Sequence, residues 1–250
     1  MIPCYLINLD RSADRLAFAN QRLQDLCIQY IRVVATDGSL MPEEERRAFI
    51  KMRPRNGGGW LPGQIGCFMS HMAAWRKIAE GSAPFGLVLE DDVHLSDEIA
   101  KFLSDPSWIP SDADIVRLET TGQWLLLDKA THRAGNRSVR RVRSAAWAAG
   151  AYILTQAAAV KLLAVDPVLH APVDYFLFSP GNSATARSLI IYQMSPALAE
   201  QDKFKRDQSA SNNFGSGIEF GKINKSLQGL SAVRRAITST LRGKSNVKFS

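Results

Sequence analysis

The sequence predicts an α/β domain with a mostly parallel central sheet, and three observations predict it. The chain opens with a strand–helix–strand pattern. A compact apolar run over residues 86–89 stops abruptly at three acids, Glu90-Asp91-Asp92. Strand-like and helix-like segments then alternate through the first half. With 250 residues, 46% of them hydrophobic, the chain can bury one sizeable core.

The elements follow in order. Residues 4–9 form a short apolar run that ends in polar residues, a buried strand. Ser12 is placed to cap a helix whose face is Leu16, Ala19, Leu23 and Leu26. Residues 30–34 are rich in β-branched side chains and read as the second strand. A glycine loop, Asn56-Gly57-Gly58-Gly59, precedes a helix over 63–78 with Phe68, Met72, Trp75 and Ile78 on one face. Residues 86–89 are the next strand. Further strands are expected at 115–118, 124–127, 151–154 and 189–194, with a helix at 156–165. Residues 209–216 are rich in Ser, Asn and Gly and read as a linker. Beyond them Leu230, Val233, Ile237 and Leu241 keep helical spacing beside Arg234, Arg235 and Arg242. That is a basic amphipathic segment, docked on a membrane surface, packed on the body or disordered. The expected division is a domain over 1–208 and a tail over 209–250.

Charge narrows the function classes. The net charge is +7, but ten Lys or Arg and only three Asp or Glu lie beyond residue 200, which leaves 21 of each before it. A neutral body with a basic tail argues against general nucleic-acid binding and points the tail at an anionic surface. Cys4, Cys27 and Cys67 are odd in number and match neither a disulfide framework nor a zinc spacing. No apolar run is long enough to span a bilayer, and no signal peptide is evident. The expectation is a cytoplasmic protein that the tail draws to the inner face of the membrane.

Glu90-Asp91-Asp92 is the strongest chemical signal. Adjacent carboxylates repel one another and need a cation or solvent. The carboxyl ends of strands form the ligand crevice of open α/β sheets. Alternate residues of an extended chain point the same way, so Glu90 and Asp92 face one ion. Hard oxygen ligands suit Mn²⁺ or Mg²⁺. An acidic turn opening a helix is the competing reading. Asn8, Asp10, Arg11 and Arg15 sit where a strand gives way to a helix, a place suited to nucleotide phosphates or to ordinary capping. Asp37 is either a hydrogen-bond acceptor for a nucleoside or part of an Asp-Gly turn. His71 orients a ligand or packs. Asp174, isolated among apolar residues, is the candidate general base or a helix cap, with Glu119 and Asp114 next in line. Arg137, Arg140, Arg141 and Arg143 read as a charged surface loop, or as a face for an anionic acceptor. No nucleophile elbow is present.

An ordered set of segments goes beyond generic pattern: Ile7-Asn8-Leu9-Asp10-Arg11 with Arg15; Ala35-Thr36-Asp37-Gly38; Gly63-Gln64-Ile65-Gly66-Cys67-Phe68-Met69-Ser70-His71 with Trp75; Val88-Leu89-Glu90-Asp91-Asp92; and Gly150-Ala151-Tyr152-Ile153-Leu154. Over roughly residues 2–200 the chain resembles glycosyltransferase family 25, the bacterial lipooligosaccharide galactosyltransferase group. The resemblance implies a GT-A-like nucleotide-sugar domain, a UDP-sugar donor (usually UDP-galactose), Mn²⁺, inverting transfer and a lipid-linked saccharide acceptor. It implies metal ligation by Asp92 with Glu90, and donor contact by Asp91. A sugar nucleotidyltransferase and a non-catalytic saccharide-binding scaffold are the alternatives. The first would normally carry a Gly-rich loop near the start, and residues 4–15 contain no glycine.

Overall fold

The computed structural model describes residues 1–49, 61–130, 132–165, 172–205 and 244–250. The glycine loop at 56–59 and the amphipathic segment at 230–241 lie outside the described residues. The chain begins β1 (Cys4–Asn8), α1 (Ala13–Asp25), β2 (Tyr30–Val34), α2 (Glu43–Ala48), α3 (Pro62–Glu80) and β3 (Phe85–Glu90). There follow β4 (Val93–Leu95), α4 (Ile99–Ser104), β5 (Ile115–Arg117), β6 (Glu119–Thr120), β7 (Trp124–Leu126), β8 (His132–Ala134) and β9 (Arg137–Arg141). Last come β10 (Ala151–Thr155), α5 (Gln156–Leu163), α6 (Val173–Phe178), α7 (Ala184–Ser188), β11 (Ile191–Ser195), β12 (Ala199–Gln201) and β13 (Lys244–Asn246).

The main sheet has eight strands in the order β2-β1-β3-β10-β5-β11-β9-β8. Six run in one direction and only β10 and β9 oppose them. This is the mostly parallel α/β sheet the sequence predicts. Alternation along the strands feeds two cores. Tyr5, Ile7 and Val88 face Phe68, Trp75 and Ile78 of α3 and Phe176 of α6. Leu6, Leu87 and Leu89 face Leu23 of α1 and Ile99 and Phe102 of α4. Helices therefore cover both faces, which is why the central strands read as continuous apolar runs.

Among the described residues there are two further, smaller sheets. In one, β12 lies between β4 and β6 and sets Gln201 opposite Val93 and Ala199 opposite Glu119. In the other, β13 pairs with β7, Val247 is buried, and Thr120 Oγ1 donates to Val247 O at 2.6 Å. Residues 244–250, expected in the tail, therefore belong to the domain. The alternation that buries Val247 is too short a pattern to read unaided.

The basic stretch 137–143 differs from expectation as well. It is strand β9 and its approach to the sheet, not a solvated loop. Arg137 is 1% exposed and donates to the carbonyls of Pro196 and Ala197 and to Glu98. Arg140 donates to Asp128 O and Ser245 Oγ, and Arg143 grips the Asp128 carboxylate. These three guanidinium groups join the sheet edge to its neighbours.

Candidate active site

The acidic cluster sits at the carboxyl end of β3, beside the end of β1. Its middle member turns one way and its flanking members the other. Asp91 Oδ2 accepts from Asn8 Nδ2 at 2.7 Å, and Oδ1 from Arg15 Nη1 at 3.2 Å. Asn8 is 1% exposed and its amide is fully used: Nδ2 also donates to Ser12 O, and Oδ1 accepts from Arg32. Burial pushes the Asp91 carboxyl up, against the pull of Asn8 and Arg15. Asn8 thus serves the site through Asp91. Asp10 is exposed and pairs with Arg32, while Arg11 pairs with Asp37, whose carboxylate also accepts from Ser39. Arg15 reaches further, to 3.7 Å from Asp92.

Glu90 ends β3 and Asp91-Asp92 form the turn into β4, so it is this turn, and not the extended chain expected from the sequence, that brings the Glu90 and Asp92 carboxylates together. Glu90 Oε2 and Asp92 Oδ1 both accept from Gln201 Nε2, at 2.5 and 3.2 Å. Burial and the Glu90 charge push Asp92 up to about 6. Glu90 goes the other way. Burial raises its carboxyl, but the hydrogen bond and charge of His71 and the charge of Lys203 bring it below its ordinary value. Two carboxylates meeting on the Gln201 amide bring together oxygens of the hard kind that Mg²⁺ and Mn²⁺ take. The residues fit a divalent ion.

Helix α3 supports this end of the sheet. An added Cβ on Gly66 would lie 2.4 Å from Thr36 O, so glycine lets α3 approach the 36–38 turn. Ser70 Oγ accepts from Thr36 N and donates to Gly66 O, fixing that approach. His71 is fully buried, with Nδ1 2.9 Å from Tyr152 Oη and Nε2 3.1 Å from Glu90 Oε1. Trp75 Nε1 donates to the same Tyr152 Oη at 2.7 Å. Trp75 Nε1, Tyr152 Oη, the His71 ring and Glu90 Oε1 thus form one hydrogen-bonded chain that ends on the acid. His71, expected to orient a ligand, has both nitrogens engaged inside the protein and orients Glu90.

The opposite wall comes from residues distant in sequence. Gly150 N donates to Glu119 Oε1 at 3.0 Å, and Gly150 O accepts from Glu90 N at 2.8 Å. A Cβ on Gly150 would meet Glu119 Oε2 and the Gln201 side chain at 2.8–2.9 Å, which explains glycine at the head of that motif. Burial and the Glu90 charge outweigh Arg117 and push Glu119 up to about 8. Glu119 Oε2 and Gln201 Oε1 are buried without a hydrogen-bond partner. Arg117 packs over the Phe178 ring and donates to the carbonyls of Trp147 and Ala148. Ala148 has φ of +65°, a left-handed conformation that costs a non-glycine residue about 1 kcal/mol. Its N–H is donated to Asp174 Oδ2 at 3.3 Å, and Tyr175 N donates to Asp174 Oδ1 at 2.9 Å. Burial outweighs these bonds and raises Asp174, which remains partly exposed. The charge of Lys203 works against that rise, and the Asp174 charge in turn raises the Cys67 thiol. Asp114 is excluded as a base by position: it precedes β5, accepts from Ile190 N, and lies at the far end of the sheet.

Gln201 and Lys203 are the residues that sequence reasoning missed. Each is more than a hundred positions from the acids, and the stretch 200–203 carries no motif.

Comparison with known proteins decides the family. The model of glycosyltransferase family 25 (LPS biosynthesis protein) matches residues 1–177. This chain belongs to glycosyltransferase family 25. Lacto-N-neotetraose biosynthesis glycosyltransferase LgtB of Neisseria meningitidis serogroup A is 32% identical over 76% of this chain and 72% of its own length. LgtE of serogroup B is 30% identical over 72% and 69%. Mouse procollagen galactosyltransferase 2 is 28% identical over 69% of this chain and 29% of its own length. Among solved structures, a glycosyltransferase involved in glycosylation of the major capsid of PBCV-1 overlaps at a TM-score of 0.42 with 11% identity, over 80% of this chain and 92% of its own. Within the family match lie all the segments quoted above, the Glu90-Asp91-Asp92 cluster and Asp174 included. Among the described residues no helix is long and apolar enough to cross a membrane.

Proposed function

We propose that this glycosyltransferase moves a hexose, galactose by preference, from a UDP-sugar to a lipooligosaccharide or other lipid-linked saccharide, with inversion and with Mn²⁺ or Mg²⁺. The observation that carries the reading is the convergence of Glu90 and Asp92 on one point at the carboxyl end of β3. A divalent ion there supplies the charge that makes a nucleoside diphosphate a competent leaving group. The acceptor class is supported by the family's description as LPS biosynthesis protein and by relatives that act in lacto-N-neotetraose and lipooligosaccharide biosynthesis.

The chain's own groups divide the work. Glu90 and Asp92 hold the metal, and the Trp75–Tyr152–His71 chain holds Glu90. Asn8 and Arg15 fix Asp91, which turns toward the donor ribose. Arg15 and Lys203 add positive charge near the diphosphate. Asp10 and the Arg11–Asp37 pair form the rim on the nucleotide side. Asp174 takes the proton of the attacking acceptor hydroxyl. Its raised affinity for a proton and its partial exposure suit a base, and the strained Ala148 support fixes its direction. Trp147, which precedes Ala148, and Tyr175 are exposed and offer aromatic faces to an acceptor sugar. Inversion needs only this one carboxylate, since no covalent glycosyl intermediate forms.

The test is UDP release from a panel of UDP-sugars, with Mn²⁺ or EDTA, with and without lipooligosaccharide. Release from UDP-galactose that needs Mn²⁺ and rises with acceptor is expected. Release that ignores both metal and acceptor would overturn the proposal.

A further inference from the structure

Cys67 and His71 are four residues apart on α3, so both side chains leave the same helix face. That face meets the end of β3. Cys67 Sγ is 3.8 Å from Glu90 Oε1, His71 Nε2 is 3.1 Å from the same oxygen, and one ligand atom from each of the three residues lies within 4.8 Å of the others. A tetrahedral zinc ion, with Zn–S about 2.3 Å and Zn–N or Zn–O about 2.0–2.1 Å, spaces its ligand atoms about 3.3–3.6 Å apart. The two measured separations bracket that spacing. Ligating imidazoles characteristically keep an outer partner on the second nitrogen. Here Nδ1 already has Tyr152 Oη at 2.9 Å, itself held by Trp75. Cys67 is partly exposed and the Glu90 side chain is 22% exposed, so the cluster has an approach from the cleft.

We infer that Cys67, His71 and Glu90 form a second cation site, suited to a thiophilic ion such as Zn²⁺, which shares Glu90 with the Glu90–Asp92 site. The ligand set decides the selectivity. One sulfur and one imidazole favour zinc or cobalt over the hard ions that two carboxylates take. On binding, the Cys67 thiol proton passes to solvent and a metal–sulfur bond forms. The proton on His71 Nε2 is lost to solvent or shifts to Nδ1, Nε2 then gives its lone pair, and Nδ1–H is donated to Tyr152 Oη, whose own proton turns away. Water completes the coordination. The site itself stands on this geometry alone. Its consequence, zinc inhibition through capture of Glu90, rests on the reading of Glu90 and Asp92 as ligands of the catalytic metal.

Cobalt(II) titration of the full chain tests the site without using activity, because a cobalt–thiolate bond gives a charge-transfer absorption. One equivalent is expected to produce that band in the wild type and in Cys27→Ser, with Zn²⁺ abolishing it. Cys67→Ser, with its circular dichroism unchanged, should lack the band and bind Zn²⁺ at least about a hundredfold more weakly. Absence of the band in the wild type, or its persistence in Cys67→Ser, would overturn the inference. Turnover with Mn²⁺ is scored separately. Its failure alongside a normal cobalt band would remove the proposed transferase mechanism and leave the zinc site standing.

Discussion

The two walls of the cleft are built differently. The β2-β1-β3 wall is parallel, follows chain order and places its polar groups in matched sets. Asp91 has Asn8 and Arg15, Asn8 has Arg32, and Thr36 has Ser70. The wall made by β10, β5, β6 and β12 is mixed in direction, and it buries Glu119 Oε2 and Gln201 Oε1 without partners. A buried unpaired polar atom costs about 1–3 kcal/mol, so the second wall is the less stable arrangement by itself. The difference teaches a division of labour. The first wall fixes geometry, and the second leaves hydrogen-bonding capacity unmet beside the acidic cluster.

Breaking the carboxylate pair should have the largest effect. Asp92→Asn should lower Mn²⁺-dependent UDP release by about a thousandfold or more, since several kcal/mol of charge stabilisation is lost. Unchanged metal-dependent turnover would contradict the assignment. Next comes the base. Asp174→Asn should reduce kcat about a hundredfold or more. Glu119→Gln, sealed behind Gly150, should reduce it less than about tenfold. The reverse pattern would move the base from the partly exposed carboxylate to the buried one.

The buried carboxyls on both sides of the site should also show in stability against pH. Asp92 is raised from 3.8 to about 6 and Glu119 from 4.5 to about 8. Each native carboxyl therefore keeps a proton that the unfolded chain has released. Stability should fall as pH rises from about 4 through about 8, by at most about 1.4 kcal/mol per pH unit for each group. Thermal melts in EDTA should show a lower Tm at pH 8 than at pH 5, and Glu119→Gln should flatten the span between pH 6 and 8. A Tm that rises over that span in the wild type would refute the account of Glu119. The smallest effect belongs to the satisfied wall. Asn8→Ala should cost about 1–3 kcal/mol in urea unfolding, because Asp91 and Arg32 each lose a partner. A cost below about 0.5 kcal/mol would mean that Asn8 is not the anchor described.

The first wall was also the legible one. β2 spans 30–34 as the β-branched run predicts, and β1 and β3 fall within a residue of their apolar runs, because periodicity over five or six positions is local information. The opposite turning of Asp91 and Asp92 comes from the turn that joins β3 to β4, which the apolar run before it does not encode. Gln201, Glu119 and Gly150 meet the acids only through sheet pairing, and no spacing along the chain encodes that. Arg137 misled for a related reason. An arginine-rich segment reads as solvated until the carbonyls of Pro196 and Ala197 are known to lie above it. The C-terminal strand was hidden similarly, since its partner β7 is more than a hundred residues earlier.

The most direct test of the central claim is Mn²⁺ binding to the wild-type chain and to Asp92→Asn, followed by electron paramagnetic resonance as free Mn²⁺ is consumed. The account predicts one site in the wild type, tightened by UDP and lost in Asp92→Asn while the fold is retained. Equal binding in the two proteins would show that Glu90 and Asp92 do not hold the ion.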